Sequence, residues 1–384
     1  MPARYLAGVV AVKAAMRVLG FMTGTSLDAV DMAILDTDGE AILGFGPAGE
    51  RKLDPTVRAL VEEAIVAGRS WAWGAPPPPQ FEAAARAVAQ EHLTAARAFL
   101  SSANIAVDSI DLVGVHGQTV LHEPPTPSRN RGRTVQLIDA EGLARELGRP
   151  TAFDFRTADV AAGGQGAPLA PVYHRALVRW SGLKKPTAVL NLGGVGNVTL
   201  VLPDGAIEAW DTGPANGMID LWVQARTSER CDLDGALALA GRVDARALAA
   251  YLADPYFATS GPKSLDRFDF SLDPVDHLSL EDGAATLTAF AAASVELGLR
   301  GLSQRPERVI VCGGGRQNPV LMHAIAERLD VPVAAAEAMG WRGDSIEAEA
   351  FAYLAARTAM GLPISFPATT GAPKPMTGGR IAQG

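Results

Sequence analysis

The run AVLNLGGVGNVTLVLPDG, Ala188 to Gly205, decides the fold. It has an apolar entry, a Gly-rich turn at Gly193 to Gly196, a Thr/Val/Leu return and an Asp204-Gly205 turn, which is the grammar of strand, turn, strand. About half a chain upstream, Arg17 to Gly39 repeats it: apolar residues up to Met22, the polar turn TGTS at Thr23 to Ser26, alternation through Leu35, then Asp38-Gly39. Two copies of one unit at so long a period predict a duplicated domain with a cleft between the halves.

Working outward from the two hairpins, Gln80 to Ser101 follows the breaker Pro76 to Pro79 and spaces Phe81, Ala85, Val88, Leu93 and Phe99 as a helix. Asp111 to Val115 reads as a buried strand that delivers His116, Gly117 and Gln118 at its end. Arg308 to Val311 does the same for Gly313, Gly314 and Gly315, after which Asn318-Pro319 opens a helix, and Glu347 to Met360 is helical and rich in small residues. Strands that alternate with helices and end in glycine turns predict an α/β architecture with ligands at the strand ends.

A chain of 384 residues, 48% hydrophobic, exceeds the size at which one core usually stops growing, so two domains are expected. The formal net charge of −8 and the scarcity of lysine argue against a sequence-independent grip on nucleic acid, which needs a basic face. Cys231 and Cys312 are too few for a disulfide framework and lack metal-ligand spacing, which points to a reducing cytoplasm. Lys13 and Arg17 interrupt the apolar stretch Tyr5 to Met22 and no small-residue cleavage site follows, so no signal peptide is read. No uncharged run reaches the ~20 residues of a membrane span.

Enzymes that handle nucleotides surround a polyanion with backbone N–H donors, and glycine permits the close approach. Three candidates occur: Gly24-Thr25-Ser26 followed by Asp28 and Asp31, Gly193-Gly194 with Gly196, and Gly313-Gly314-Gly315. Each alone also reads as an ordinary tight turn. The chain contains no Gly-Lys pair, which excludes a P-loop as the phosphate site.

The runs GFMTGTSLDAVD (Gly20 to Asp31), GVHGQTVLHEP (Gly114 to Pro124), FDFRTADVAAGGQGAPLAP (Phe153 to Pro171), NLGGVGN, WDTGPANGMID (Trp210 to Asp220), VCGGGRQNP (Val311 to Pro319) and EAEAFAYLA (Glu347 to Ala355) stand in this order along nearly the whole chain. Together they resemble the anhydro-N-acetylmuramic acid kinase family of the actin/hexokinase superfamily. The resemblance implies two ribonuclease-H-like domains closing on ATP and a sugar, the first comprising residues 1–185 completed by 365–384, the second residues 186–364. It implies that Gly24, Thr25, Ser26, Leu27, Asp28, Ala29, Val30 and Asp31 wrap the phosphates with Gly193, Gly194 and Asn197. It also implies that Gly313, Gly314 and Gly315 cover the adenosine. Asp211 of the DTGP motif is the implied general base. One departure stands out: the family usually has glycine where this chain has Ala215.

Other positions carry two readings. His116 at a strand end is a structural histidine or, with Gln118 beside it, a sugar ligand. Asp154 and Arg156 are a surface ion pair or, next to GGQG, ligands of the sugar and its carboxylate, for which guanidinium is well shaped. Glu347 favours a helix start by its charge alone; its sugar-binding role rests on the resemblance. Asp28 fixes the hairpin turn or holds Mg²⁺ through water.

In an anhydro sugar O6 is tied to C1 and carries no proton, so the resemblance implies that Asp211 deprotonates a water attacking C1 while O6 takes the γ-phosphate of ATP. A kinase for another anhydro sugar such as levoglucosan, or a non-catalytic ATP and sugar clamp, are the competing readings. A homodimer is what the family leads one to expect.

Overall fold

The computed structural model describes residues 15–384 apart from 25, 127–128 and 266–268. Thr25 and most of the stretch on which the signal-peptide reading rests therefore lie outside the described residues.

Two large sheets form the frame. The first joins β1 (Met16–Thr23), β2 (Ala29–Thr37), β3 (Ile42–Lys52), β4 (Leu112–Val115), β7 (Thr151–Phe153) and the C-terminal β13 (Arg380–Ala382) in the order β13-β7-β4-β1-β2-β3. The second joins β8 (Thr187–Leu192), β9 (Val195–Val201), β10 (Ile207–Pro214), β11 (Arg308–Cys312) and β12 (Val333–Ala335) in the order β10-β9-β8-β11-β12. A separate ribbon pairs β5 (Gln118–Glu123) with β6 (Arg133–Leu137).

The two sheets share one topology. In each, three consecutive strands form an antiparallel meander, and two later strands extend the sheet, parallel to the first strand, on its other side; in the first sheet β13 adds an edge strand antiparallel to β7. That is the ribonuclease-H-like order implied by the resemblance, and it is present twice, as the two hairpin runs predicted of a duplicated domain. The predicted helix after the proline run is Pro79–Ser102, and the helix opened by Asn318-Pro319 is Pro319–Arg328. Asn318 caps the latter by accepting the Val320 and Leu321 N–H groups at 3.0 Å.

The halves meet through the helices Pro171–Trp180 and Ile346–Ala359. One buried cluster joins Val18, Leu35 and Leu112 of the first sheet with Val189, Val201 and Ile310 of the second, and both helices contribute to it. The helix Ile346–Ala359 packs on β1, β2 and β4, so this stretch, grouped with the second half on sequence, lies on the first sheet. Two glycines explain how closely it lies. Gly20 of β1 and Gly114 of β4 are register partners, and a Cβ at either would come within 2.3 Å of a backbone carbonyl of that helix. The pair leaves a flat spot on the sheet where the helix backbone sits.

Candidate active site between the two halves

A cavity of about 120 Å³ opens where the helix Ile346–Ala359 faces the second sheet. Its sheet wall is a row of cross-strand neighbours. Asp211 of β10 pairs with Asn197 of β9, and Asn197 pairs with Asn191 of β8, so side chains of one height converge on one face. The register shifts between Asp211 and Gly213, and the bulge at Thr212 turns the strand beside the acid. The opposite wall is a helix face: Glu347, Ala350, Phe351 and Leu354 recur at the 3, 4 and 7 spacing of one helical stripe. Arg156, Met22 and residues 167–170 close the cavity from the first half.

Asp211 is 7% exposed. Burial pushes its carboxyl up to about 7; the Leu265 N–H, Arg156 and Lys263 oppose the rise, while Asp269 adds to it. Its Oδ2 accepts from Leu265 N at 2.8 Å, its own N–H donates to the Lys263 carbonyl at 3.0 Å, and its carbonyl accepts from the Tyr256 hydroxyl at 2.5 Å. A carboxylate held by donors at one oxygen leaves the other for a proton, and a carboxyl near 7 exchanges protons at neutral pH.

Arg156 is fixed by two bonds. Its Nε donates to His116 Nε2 at 3.1 Å and one terminal nitrogen donates to the Gly166 carbonyl at 2.7 Å. Burial lowers its pKa to about 10, with Asp211, Glu347 and Asp159 opposing, so it stays a cation at neutral pH between two acids of the cavity. His116 must be neutral to accept that bond, and burial together with the Arg156 charge holds its pKa well below 6.5. His116 also lies 4.8 Å from the Phe351 ring. It orients Arg156 and does not itself line the cavity. Glu347 accepts from Asn191 at 3.1 Å, and burial raises its pKa against the pull of Asn191 and Arg156.

Other expected residues fall elsewhere. Asp154 is turned away to Arg380 of β13, 3.8 Å distant, and is not part of the cavity wall. Asp159 is a strut: one oxygen accepts from Gly166 N at 2.7 Å, the other from Ser365 at 2.5 Å and Thr370 at 2.7 Å, which shapes the loop that receives Arg156. Gln118 is buried and reaches the Gly24 carbonyl at 3.5 Å, tying the strand-end motif to the first hairpin turn.

The first turn has Leu27 at φ +56° and a Leu27 N to Gly24 O bond of 3.2 Å. Ser26 and Asp28 project to solvent while Val30 is buried, and Asp28 meets Arg58 at 3.8 Å and Arg230 of the second half at 3.1 Å. Ala29 pairs with Lys52, and Asp31 with Glu50. Burial, with Glu347, Glu50 and Asp344 adding, raises Asp31 to about 7.

The second turn lies on a helix start: the carbonyls of Gly193 and Gly194 accept from Asn216, Ala215 and Gly217 at 3.0–3.1 Å. The Ala215 methyl is buried in the core of the second half, so the chain accommodates the departure from glycine there. At the third turn, Gly313 has φ +76°, and a Cβ would fall 2.3 Å from Asn191 Oδ1. Gly314, by contrast, has nothing within 4 Å of that position, and Gly24 only Ser26. Glycines with such room let an anion reach the backbone. Arg316 braces the turn through the Gly313 carbonyl, Glu337 and Asp344.

Sequence reasoning did not single out Asn191, Phe351, or the segment 255–265 that holds Asp211. Asn191 stands inside the quoted NLGGVGN run; the segment 255–265 carries no recognisable local signal and is placed only by the fold.

Residues 16–384 match the family model described as anhydro-N-acetylmuramic acid kinase. The chain belongs to this family. It is 63% identical over 366 residues to the anhydro-N-acetylmuramic acid kinase of Caulobacter vibrioides, covering 95% of this chain and 98% of that one. It is 60% identical to the namesake of Phenylobacterium zucineum, covering 96% and 100%. It is 48% identical to that of Brucella anthropi, covering 94% and 98%. Among the described residues, no helix is long and apolar enough to cross a membrane.

Proposed function

We propose that this member of the family is an ATP-dependent phosphotransferase that hydrolytically opens 1,6-anhydro-N-acetylmuramic acid and phosphorylates O6, giving N-acetylmuramic acid 6-phosphate and ADP. This is a step of cell-wall peptidoglycan recycling and amino-sugar catabolism. The observation that carries the reading is Asp211, a buried carboxyl near 7 on the wall of a cavity between duplicated halves.

Asp211 takes a proton from a water as that water's oxygen bonds to C1. The C1–O6 bond breaks with its electron pair on O6, which attacks the γ-phosphorus and releases ADP. Arg156, a cation held by His116 and Gly166, offers its remaining donors to the lactyl carboxylate. Asn191 and Glu347 bind sugar hydroxyls. The turns at Gly24–Asp31, Gly193–Gly194 and Gly313–Gly315 receive the nucleotide, with open space beside the backbone at Gly24 and Gly314. A Mg²⁺ at the phosphates would keep most of its water shell. Exposed Asp28 is the carboxylate to meet that shell. The ion supplies charge neutralisation on the transferring phosphoryl group.

In water enriched in heavy oxygen, product trapped early should carry one solvent oxygen at C1, beyond that gained by unlabelled product in the same water. Absence of early label, or equal use of N-acetylmuramic acid itself, would leave a conventional sugar kinase. We further place the enzyme in the cytoplasm as a homodimer, a state that sedimentation would read directly. The two unbridged cysteines, Cys231 and Cys312, agree with that compartment.

A further inference from the structure

The segment 255–265 reaches Asp211 from 45 or more residues along the chain and contacts it from three sides. Tyr256 donates to the Asp211 carbonyl, Lys263 accepts from its N–H, and the Leu265 N–H holds its carboxylate. The segment is itself cross-braced. Lys263 Nζ turns back to the carbonyls of Tyr256 at 2.8 Å and Thr259 at 2.9 Å and sits 4.0 Å from the Tyr256 ring centroid. Gly261 lies flat on the Trp210 indole, where a Cβ would fall 2.3 Å from the ring. Beyond these contacts, Ser264 donates to Gln165 Oε1 at 3.0 Å. Gln165 belongs to the GGQG loop that closes on Arg156, and its own N–H donates to the Thr370 carbonyl at 2.6 Å.

We propose that residues 255–265 form a strap that aims the Asp211 carboxylate, with Lys263 as its positioning residue and the Ser264–Gln165 hydrogen bond tying that aim to the GGQG loop across the cavity. The proposal rests on the reading of Asp211 as the general base. When the loop seats on its sugar and Arg156, the Ser264 contact pulls the strap against β10 and keeps the Leu265 N–H on one carboxylate oxygen, so the other faces the attacking water. Lys263 fixes the strap by two carbonyl bonds and adds positive charge beside Asp211. The charged groups around Asp211 are Arg156 from the segment after β7, and Lys263 and Asp269 from the two sides of the strap's end. Removing Lys263 therefore leaves Arg156 alone against Asp269.

The test is the pH dependence of kcat/KM for the anhydro sugar at saturating ATP and magnesium, with variants Lys263→Met, Lys263→Arg, Ser264→Ala, Gln165→Ala and the Ser264→Ala/Gln165→Ala double. Loss of a cation beside a carboxyl raises the carboxyl's pKa. Lys263→Met should thus move the acid limb upward by roughly half a pH unit or more, and Lys263→Arg should return it toward the parent. Misaim of the base should lower kcat on the order of 10-fold in Lys263→Met. Ser264→Ala should lower kcat a few-fold and Gln165→Ala at least as much, since it also loses the Gln165 Nε2 bond to the Pro125 carbonyl at 3.2 Å; the double variant should fall no further than Gln165→Ala, because the Ser264–Gln165 bond is already gone there. An acid limb unmoved by Lys263→Met overturns the proposal, whether or not kcat falls. If Lys263→Met does not fold, the Ser264 and Gln165 set decides: additive losses, or none, overturn it. Asp211→Asn serves as the reference. Near-parent turnover in that variant would instead sink the general-base reading, independently of the strap variants.

Discussion

β3 and β10 occupy the same place in their sheets, each the third strand of its meander and each an edge, yet they have opposite surroundings. β3 is bare along most of its outer side, alternates half-buried with exposed residues, and carries Pro47 and the charged run Glu50, Arg51 and Lys52. Those residues suit an edge that must not pair with another strand. β10 is buried at all but one position, because the helix Leu280–Arg300 and the strap cover it, and Trp210 Nε1 donates to the Gly298 carbonyl at 3.2 Å. Repeated topology supplies two equivalent edges. Its cover is what lets the second edge hold a carboxyl near 7, since desolvation is what raises it.

The sharpest way to break this contrast is Asp211→Asn. Turnover should fall by at least ~100-fold and up to ~10,000-fold while ATP binding, read by calorimetry, persists. Trp210→Ala attacks the cover instead of the acid. Losing a buried indole should cost about 3–5 kcal/mol of stability in denaturant melts, and the acid limb of activity should move down as water reaches Asp211.

The third prediction separates function from stability at the same residue. A folded-state pKa raised above the unfolded one is an acid that favours folding when protonated. That stability is present below the unfolded value near 3.8 and is lost as pH rises to the folded value near 7. Asp211→Asn escapes the loss. Its stability relative to the parent should therefore climb between about pH 4 and pH 7, by at most roughly 4 kcal/mol at 1.36 kcal/mol per pKa unit, and level off above. A flat difference across that window would mean that Asp211 is better solvated than its burial indicates. The smallest effect belongs to the bare edge: Lys52→Ala should change stability by no more than about 0.5 kcal/mol and leave kcat unaltered.

Local chemistry carried much of this protein in plain sight. The paired hairpins at Arg17–Gly39 and Ala188–Gly205 specify their strands through apolar alternation and turn residues, and these are short-range effects that a chain expresses wherever it is placed. The same holds for the Asn318-Pro319 helix start and for the glycine turns. By itself the sequence thus determined the duplication and the α/β class, and the family resemblance of its motifs named Asp211 and Arg156 as candidates. Tertiary structure alone decided what those groups experience. It turned Asp154 to Arg380 and made Asp159 a loop strut. It seated the helix Ile346–Ala359 on Gly20 and Gly114 of the first sheet, and it brought Leu265 and Lys263 to Asp211 from 54 and 52 positions away. Burial, the aim of a side chain and the charge of its neighbours are properties of contacts between distant segments, and residue type and spacing do not encode them locally.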